Sequence, residues 1–376
     1  MAGLYIHIPF CRQACRYCDF YFTVSLKFKK ELIDSMILEI RNKKKDFEKF
    51  EFETIYFGGG TPSVLEIDDF KRLLDEINKH FRVKNNFEFS IEANPDDLSP
   101  SYLKSLKFIG VNRLSIGIQS FHDKDLKLMR RSHDANQALT SIRNAHDAGI
   151  SNLNIDLIYG IPEMSLKEWK ENLDVCFQQN IKHISAYHLT FEPGTVFDHW
   201  RKKNKIAPIG EEESLRQFKI LIKKSEEEKF LHYEISNFSK EAFVSLHNTN
   251  YWKGVPYLGI GPSAHSYDGK SRFWNISSIK QYIEKTKSGS YNYTDKEELS
   301  LDDSYNEYVL TSLRTMWGID LDEILKAYGD NYVKYTLDIF QQFFKRKLLN
   351  ISGRKITISK KGIFLADQII REFFRV

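Results

Sequence analysis

Three of the four cysteines stand close together, in Cys11-x3-Cys15-x2-Cys18, while Cys176 lies far along the chain. Thiolates are soft ligands that select zinc or iron–sulfur clusters. Three of them on a four-iron cluster leave one iron without a protein ligand, and an open iron can chelate a small molecule. The alternative is a closed structural zinc site with His7 as its fourth ligand. Cys176 falls on the apolar stripe of a predicted helix and reads as a core residue.

Further polar groups recur along the first half of the chain. Gly58-Gly59-Gly60-Thr61-Pro62 follows a short apolar run. Glycines let a backbone approach a ligand closely and leave amides free to donate, although a tight turn is the plainer reading of such a run. Glu92, Gln119 and Asp156 each sit in or just after an apolar stretch. Buried carboxylates are costly unless paired or hydrogen-bonded. Each residue is therefore a site group, a member of a satisfied core network or a solvated loop position.

The elements that must position these groups are short strands alternating with amphipathic helices. The apolar runs predict strands at Leu4–Pro9, Thr54–Phe57, Phe87–Glu92, Arg113–Ile118, Asn152–Tyr159 and His183–Leu189. Ile67, Phe70, Leu73, Leu74, Ile77 and Phe81 follow the helical period, behind a capping box at Ser63-x-x-Glu66. Ser165-x-x-Glu168 repeats that device before Trp169, Leu173 and Cys176. Ser99-Pro100 gives an N-cap with proline at the first helical position. Gly149 stands where a C-cap glycine ends the helix that begins near Asp134.

Six strand–helix units imply a parallel sheet with right-handed crossovers, either curved into a barrel or open with helices on both faces. The functional-looking groups at successive strand ends favour the barrel, whose active sites form at the C-terminal ends of its strands. The expected fold class is therefore α/β, a partial (β/α)6 barrel over residues 1–200. A mixed extension follows over 201–295, opening with a charged helix from Glu211 to Lys229. A mainly helical C-terminal region covers 296–376: Ser304–Thr315, Leu321–Ala327, Tyr332–Lys345, a hairpin-like Leu349–Ser359 and a last helix from about Lys361.

Length and charge narrow the classes. The 376 residues carry a net charge of +4, with 28% charged and 41% hydrophobic residues. That surplus gives no nucleic-acid footprint. The basic runs Lys345-Arg346-Lys347 and Lys360-Lys361 are too short and scattered to read a groove. No run of 18 apolar residues predicts a membrane span. The N-terminus lacks the basic region of a signal peptide. The expectation is a cytoplasmic protein with reduced thiols, where clustered cysteines serve metals or catalysis rather than disulfides.

The cysteine pattern after a first strand resembles the signature of the radical S-adenosylmethionine (radical SAM) enzymes. The resemblance implies a [4Fe-4S] cluster on Cys11, Cys15 and Cys18, with S-adenosylmethionine (SAM) on the open iron. It further implies SAM-site positions at Tyr5, Tyr17, Gly59, Gly60, Thr61, Glu92, Gln119, Arg131 and Asp156. Arg130 stands beside Arg131, and either arginine is open to a solvated reading.

Tyr5-Ile6-His7-Ile8-Pro9-Phe10-Cys11, Arg113 to Phe121, and Asp156-Leu157-Ile158-Tyr159-Gly160-Ile161-Pro162 resemble the oxygen-independent coproporphyrinogen III oxidase family over nearly the whole chain. That family has a decarboxylating branch and a heme-chaperone branch. The oxidase motif continues Cys-x-Cys, where this chain has Cys18-Asp19-Phe20. The oxidase also carries an extension ahead of the cluster strand, which here starts at Leu4. His247-Asn248-Thr249-Asn250-Tyr251-Trp252 matches the His-Asn-x-x-Tyr-Trp motif of the chaperone branch.

The resemblance thus implies a heme chaperone with heme at His247, Asn248, Tyr251 and Trp252, and no coproporphyrinogen oxidase activity. It implies an acceptor hemoprotein as partner, at family level a membrane-associated one. A neutral imidazole is a common heme ligand. Tyr251 and Trp252 offer flat apolar surface, and Gly254, Gly259 and Gly261 allow close backbone approach. The other reading of His247 and Trp252 is that they lock a loop onto the barrel. His265 is a second histidine candidate against a core role, and His188 is expected to line the pocket. The C-terminal region resembles the winged-helix-like tail of the family and is expected to cover the barrel mouth or meet a protein partner.

Overall fold

The computed structural model describes residues 1–289 and 294–375; residues 290–293, inside the expected extension, and residue 376 lie outside the described residues. Six strands run in parallel and in sequence order: β1 (Ala2–Ile8), β2 (Glu51–Gly59), β3 (Arg82–Ala93), β4 (Arg113–Gln119), β5 (Asn152–Tyr159) and β6 (His183–His188). Helices α1 (Lys29–Phe47), α2 (Ile67–His80), α3 (Pro100–Phe108), α4 (Asp123–Met129), α5 (Ala135–Asp147) and α6 (Leu166–Gln178) make the crossovers. All six expected strands are present. β2 and β3 begin earlier than their apolar runs, because their first residues join the ladder through partly exposed positions.

Side chains on a strand alternate between faces, and here the two faces differ in kind. One face carries Leu4, Ile6, Ile55, Phe57, Phe89, Ile91, Leu114, Ile116, Leu153 and Ile155, all fully buried in one core with helix residues such as Met36, Phe70, Leu103, Ile142 and Trp169. The opposite face is polar and bonds across strands. Asn154 Nδ2 donates to Ser115 Oγ (2.7 Å), Ser185 Oγ (2.9 Å) and Asp156 Oδ1 (2.7 Å). His183 joins Asn154 Oδ1 at 2.6 Å and the Tyr233 hydroxyl at 2.7 Å. Apolar burial against helices holds the sheet, and hydrogen bonding satisfies its inner face.

The sheet does not close on itself among the described residues. α7 (Val196–Lys202) and α8 (Glu211–Glu227) lead to β7 (Leu231–Glu234) and β8 (Asn237–Ser239), which cover the free edge of β6. α9 (Leu246–Trp252) follows, and β9 (Tyr257–Ile260) pairs in parallel with β1. β10 (His265–Tyr267), β11 (Ser271–Asn275), α10 (Ile279–Lys287) and β12 (Thr294–Glu298) extend that side into a twelve-stranded sheet. The chain then builds a second apolar core from α11 (Leu301–Leu313), α12 (Leu321–Tyr328), α13 (Asp330–Phe344) and α14 (Ala366–Glu372), with a three-stranded sheet of β13 (Ile319–Asp320), β14 (Leu349–Ser352) and β15 (Lys355–Ile358). This is the expected partial barrel with a mixed, mainly helical extension. No helix among the described residues is long and apolar enough to cross a membrane.

Most expected caps are in place. Ser99 accepts from the Tyr102 amide, Ser165 forms a capping box with Glu168, and Gly149 follows its helix at φ 78°. One is not: α2 is capped by Glu66 with Asp69, not by Ser63. Ser63 lies in a short 3-10 turn, and its hydroxyl donates to Asp97 Oδ2 at 2.6 Å. The turn comes between the glycine run and the helix, so the cap moves three residues downstream. Cys176 is fully buried on α6, as its place on the stripe predicts.

Candidate functional site

The segments that follow β1 to β6 meet around one cavity of about 460 Å3 at the C-terminal ends of the strands. Residues from all six strand ends reach it only because the sheet curves. Cys11, Cys15 and Cys18 stand on one side, on the loop after β1. That loop is clamped at several points. Cys11 N donates to Thr23 O (2.9 Å), Arg16 N to Met129 O (3.1 Å), and the Arg16 guanidinium lies 4.6 Å from the Trp200 ring. The thiols do not gather around a point: among the described residues no three His, Cys, Asp or Glu side chains converge for a single ion. A cubane taking one thiolate per iron calls for thiols spaced around a hollow. His7 does not line the cavity; its Nδ1 pairs with the Tyr5 hydroxyl at 3.1 Å. The zinc arrangement therefore has no fourth ligand in place. Burial raises the thiols of Cys11 and Cys18, the latter to about 11, so metal must supply the positive charge that deprotonates them.

Of the expected SAM-site residues, Tyr17, Gly59, Gly60, Thr61, Glu92, Gln119, Arg131 and Asp156 line this cavity. Tyr5 does not. It lies one layer below, beside Gly58 and Tyr56. Arg131 spans the cavity wall: its Nη1 donates to Cys15 Sγ (3.3 Å) and Tyr17 Oη (3.4 Å), its Nη2 to Asn94 Oδ1 (2.7 Å) and Gly117 O (2.8 Å). Its Nε is buried without a partner. Arg130 is exposed and caps α4 at φ 58°, which separates the two arginines. Gln119 adopts φ 67° at a register shift in β4, an uncommon backbone state for a side-chain residue and one that collects at functional sites.

The glycine run corrects the expectation of free amides. Gly59 N donates to Glu92 Oε2 (3.1 Å), Gly60 N to Ile8 O (2.8 Å) and Thr61 N to Phe10 O (2.7 Å). The β1–β2 ladder continues past the strands into the cysteine loop and takes the Gly60 and Thr61 donors, while Glu92 on β3 takes that of Gly59. A Cβ on Gly59, at φ 110°, would stand 2.7 Å from the His7 ring, and one on Gly60 would stand 2.7 Å from Phe10 O. Close approach is needed, but first by the protein's own chain.

Burial pushes the Glu92 carboxyl up to about 7, with Asp156 adding to the rise, against the stabilising bonds from Tyr56 and Gly59. Asp156 is raised by burial too, and bonds from Asn154, Ser115 and Ser185 partly oppose this. Both carboxyls are poised to gain from a cationic ligand in the cavity. Asn94, Ser115 and Tyr187 also line it, although the family resemblance assigns them no role. The period-2 pattern of β3, β4 and β6 is the signal that puts Ser115 and Tyr187 on the polar face. His188 lines it as expected, with Nε2 buried and unpartnered.

The His247–Trp252 segment is elsewhere. It forms α9, against the polar face near the start of β1 and β2. Thr54, the partner of His247, precedes Gly59 by five residues, about 17 Å of strand. His247 is buried with both ring nitrogens engaged: Nδ1 with Thr54 Oγ1 at 2.7 Å, Nε2 with the Tyr251 hydroxyl at 3.0 Å. Its ring stacks on Tyr56 at 4.8 Å, and burial lowers its pKa to about 3. Leu246 and His247 donate their amides to Glu88 at 3.0 Å each. Asn248 N donates to the capping Ser245. The Trp252 indole turns away from the barrel toward the C-terminal helices. His265 is exposed beside Trp274, neither a core residue nor near His247.

Residues 5–176 match the radical SAM superfamily. Over 376 residues the chain is 32% identical to the heme chaperone HemW of Bacillus subtilis, covering 99% of each. It is 30% identical to the heme chaperone HemW of Lactococcus lactis, covering 98% of this chain and 96% of the relative. Among solved structures, the Escherichia coli coproporphyrinogen III oxidase HemN shares the fold, with a TM-score of 0.86 at 24% identity over 99% of this chain and 90% of that one.

Proposed function

The chain belongs to the HemW family within the radical SAM superfamily, and on that footing we propose that it is a cytoplasmic heme chaperone. In this reading Cys11, Cys15 and Cys18 hold a [4Fe-4S] cluster, and the cavity they rim takes SAM. Heme is carried beside α9, the helix of His247, Asn248, Tyr251 and Trp252, and passed to an acceptor hemoprotein. The full-length 32% identity to a HemW carries the reading. The cluster, when bound, supplies an open iron for SAM and a path for one electron. The chain's own part is to space three thiols, seat a cation between Glu92 and Asp156, and brace the cluster side with Arg131. Phe20 stands where the oxidase motif has a further cysteine, and it is 69% exposed.

The oxidase reading keeps one observation in its favour, the shared fold with HemN. Anaerobic reconstitution with iron and sulfide, followed by hemin titration and incubation with an apo-hemoprotein, tests the proposal. Saturable heme binding and transfer are expected. Conversion of coproporphyrinogen to protoporphyrinogen would overturn it.

A further inference from the structure

His247 has no nitrogen to spare for a ligand, yet the motif it belongs to borders a roomy cleft. That cleft, of about 590 Å3, lies between α9 with β9–β11 on one side and α11, α12 and β15 on the other. Its volume falls within the range of small-molecule and cofactor sites, roughly 300–1,000 Å3. Its walls are aromatic: Tyr251, Trp252 and Tyr257 face Tyr308, Trp317 and Tyr328. These residues come from two separate stretches of the chain, so the cleft exists only where the barrel extension meets the C-terminal helices. Flat apolar walls on both sides suit a flat apolar ligand, which a globular metabolite is not.

The polar groups around the cleft narrow the chemistry of its ligand. Trp252 Nε1 is a buried donor without a partner, in a protein interior where such groups are almost always bonded. At the mouth stand Lys253, its ammonium 4.9 Å from the Trp317 ring, and exposed Lys355. Arg272 is already paired with Glu307 and with the Tyr257 hydroxyl at 2.9 Å. Asp320 and Glu323 share the rim. The two lysines, without a carboxylate partner among the described residues, match a ligand with two carboxylates on one edge, and the acidic pair opposes a more highly charged one.

We infer that the tetrapyrrole of the proposed function lies in this cleft, its macrocycle between Trp252 and Trp317 and its two propionates at Lys253 and Lys355, with His247 a positioning residue rather than an iron ligand. The inference rests on the heme-chaperone reading and deepens it. His247 acts through Thr54 and Tyr251: it pins α9 to the barrel so that the Tyr251 ring and the Trp252 indole form one wall. Because the macrocycle carries the contact, the iron is not required for binding.

The experiment uses the full chain with its cluster reconstituted, titrated with hemin and with metal-free protoporphyrin IX, followed by the porphyrin absorption and by tryptophan fluorescence. Both ligands are expected to bind within about tenfold of each other and to quench fluorescence. Trp317→Ala is expected to weaken both at least tenfold while cluster absorption and thermal unfolding hold. Lys355→Glu, at an exposed position that keeps its strand, is expected to weaken both severalfold and decides the matter should Trp317→Ala fold poorly. His247→Gln is expected to weaken binding without moving the Soret band of bound hemin. Wild-type binding that neither Trp317→Ala nor Lys355→Glu alters would overturn the cleft and leave the heme reading standing. So would a Soret band that shifts in His247→Gln. Failure of the wild-type chain to bind either ligand would overturn the heme reading itself.

Discussion

Tyr56 donates its hydroxyl to Glu92 across 2.7 Å while the face of its ring lies against His247, 4.8 Å between centroids. One side chain thus touches both a carboxyl that lines the cysteine-rimmed cavity and the histidine on α9. The three residues come from β2, β3 and α9, which the sequence separates widely.

Tyr56→Phe keeps the ring and removes the donor. Glu92 is left with the Gly59 amide as its partner, and its ionised form loses a bond worth about 1.5–3 kcal/mol. SAM affinity of the reconstituted protein is expected to fall about tenfold, measured by equilibrium dialysis, with iron and sulfide content unchanged. Unchanged SAM affinity would show that Glu92 does not meet the ligand.

The Glu92 carboxyl, raised to about 7, sets a pH dependence. SAM carries a fixed sulfonium charge, so its binding favours ionised Glu92 and releases a proton below pH 7. Affinity is expected to rise as pH climbs through about 7 and to level off above it, and Glu92→Gln should flatten the profile. Stability of the ligand-free chain has the opposite sign. The folded carboxyl holds its proton more tightly than the unfolded one, so lowering the pH from 8 toward 5 strengthens folding as far as this group is concerned. Thermal unfolding of wild type against Glu92→Gln isolates the difference.

Arg131 and Arg130 should behave unlike each other. Arg131→Lys gives up the fork that joins Cys15, Tyr17, Asn94 and Gly117, and a point charge does not restore it. The expected result is a loss of about 1–3 kcal/mol in stability and slower cluster assembly, read from iron content and chemical denaturation. Arg130→Ala should leave both within error.

The four cysteines divide the same way. Alanine at Cys11, Cys15 or Cys18 is expected to abolish the cluster and leave far-UV circular dichroism intact; stoichiometric iron and sulfide in any of them would contradict the assignment. Cys176→Ser should keep the cluster but place a hydroxyl in a fully apolar environment, at about 1–3 kcal/mol, lowering the melting temperature.

The strands and the polar groups at their ends were legible in the sequence, because alternation is local: apolar Leu114, Ile116 and Ile118 interleave with Ser115, Gly117 and Gln119 within seven residues. What a backbone amide does is not local. Nothing in Gly58-Gly59-Gly60-Thr61 says that Glu92, Ile8 and Phe10 will take the donors of Gly59, Gly60 and Thr61, since those acceptors arrive from neighbouring strands and their loops. Ser63 is equally ambiguous. Its type suits a cap, but Asp97 from the next unit claims its hydroxyl. The His247 motif shows the same limit at larger scale. Its i, i+4 spacing predicts that His247 and Tyr251 meet, as they do. It does not predict that Thr54 will occupy the other nitrogen, nor that Trp252 and Trp317 will line one cleft. Those facts depend on where a seven-residue helix docks.

The division between the two faces of the parallel sheet has a consequence for how such a protein can change. Its strength is held in a rind of aliphatic and aromatic side chains under the helices, while its chemistry is held in a column of hydroxyls, amides and carboxyls that the rind does not depend on. An exchange such as Tyr187→Phe, at a half-exposed position on that column, therefore alters what the cavity presents while leaving the apolar core in place. A scaffold partitioned in this way can acquire a new task without first being rebuilt.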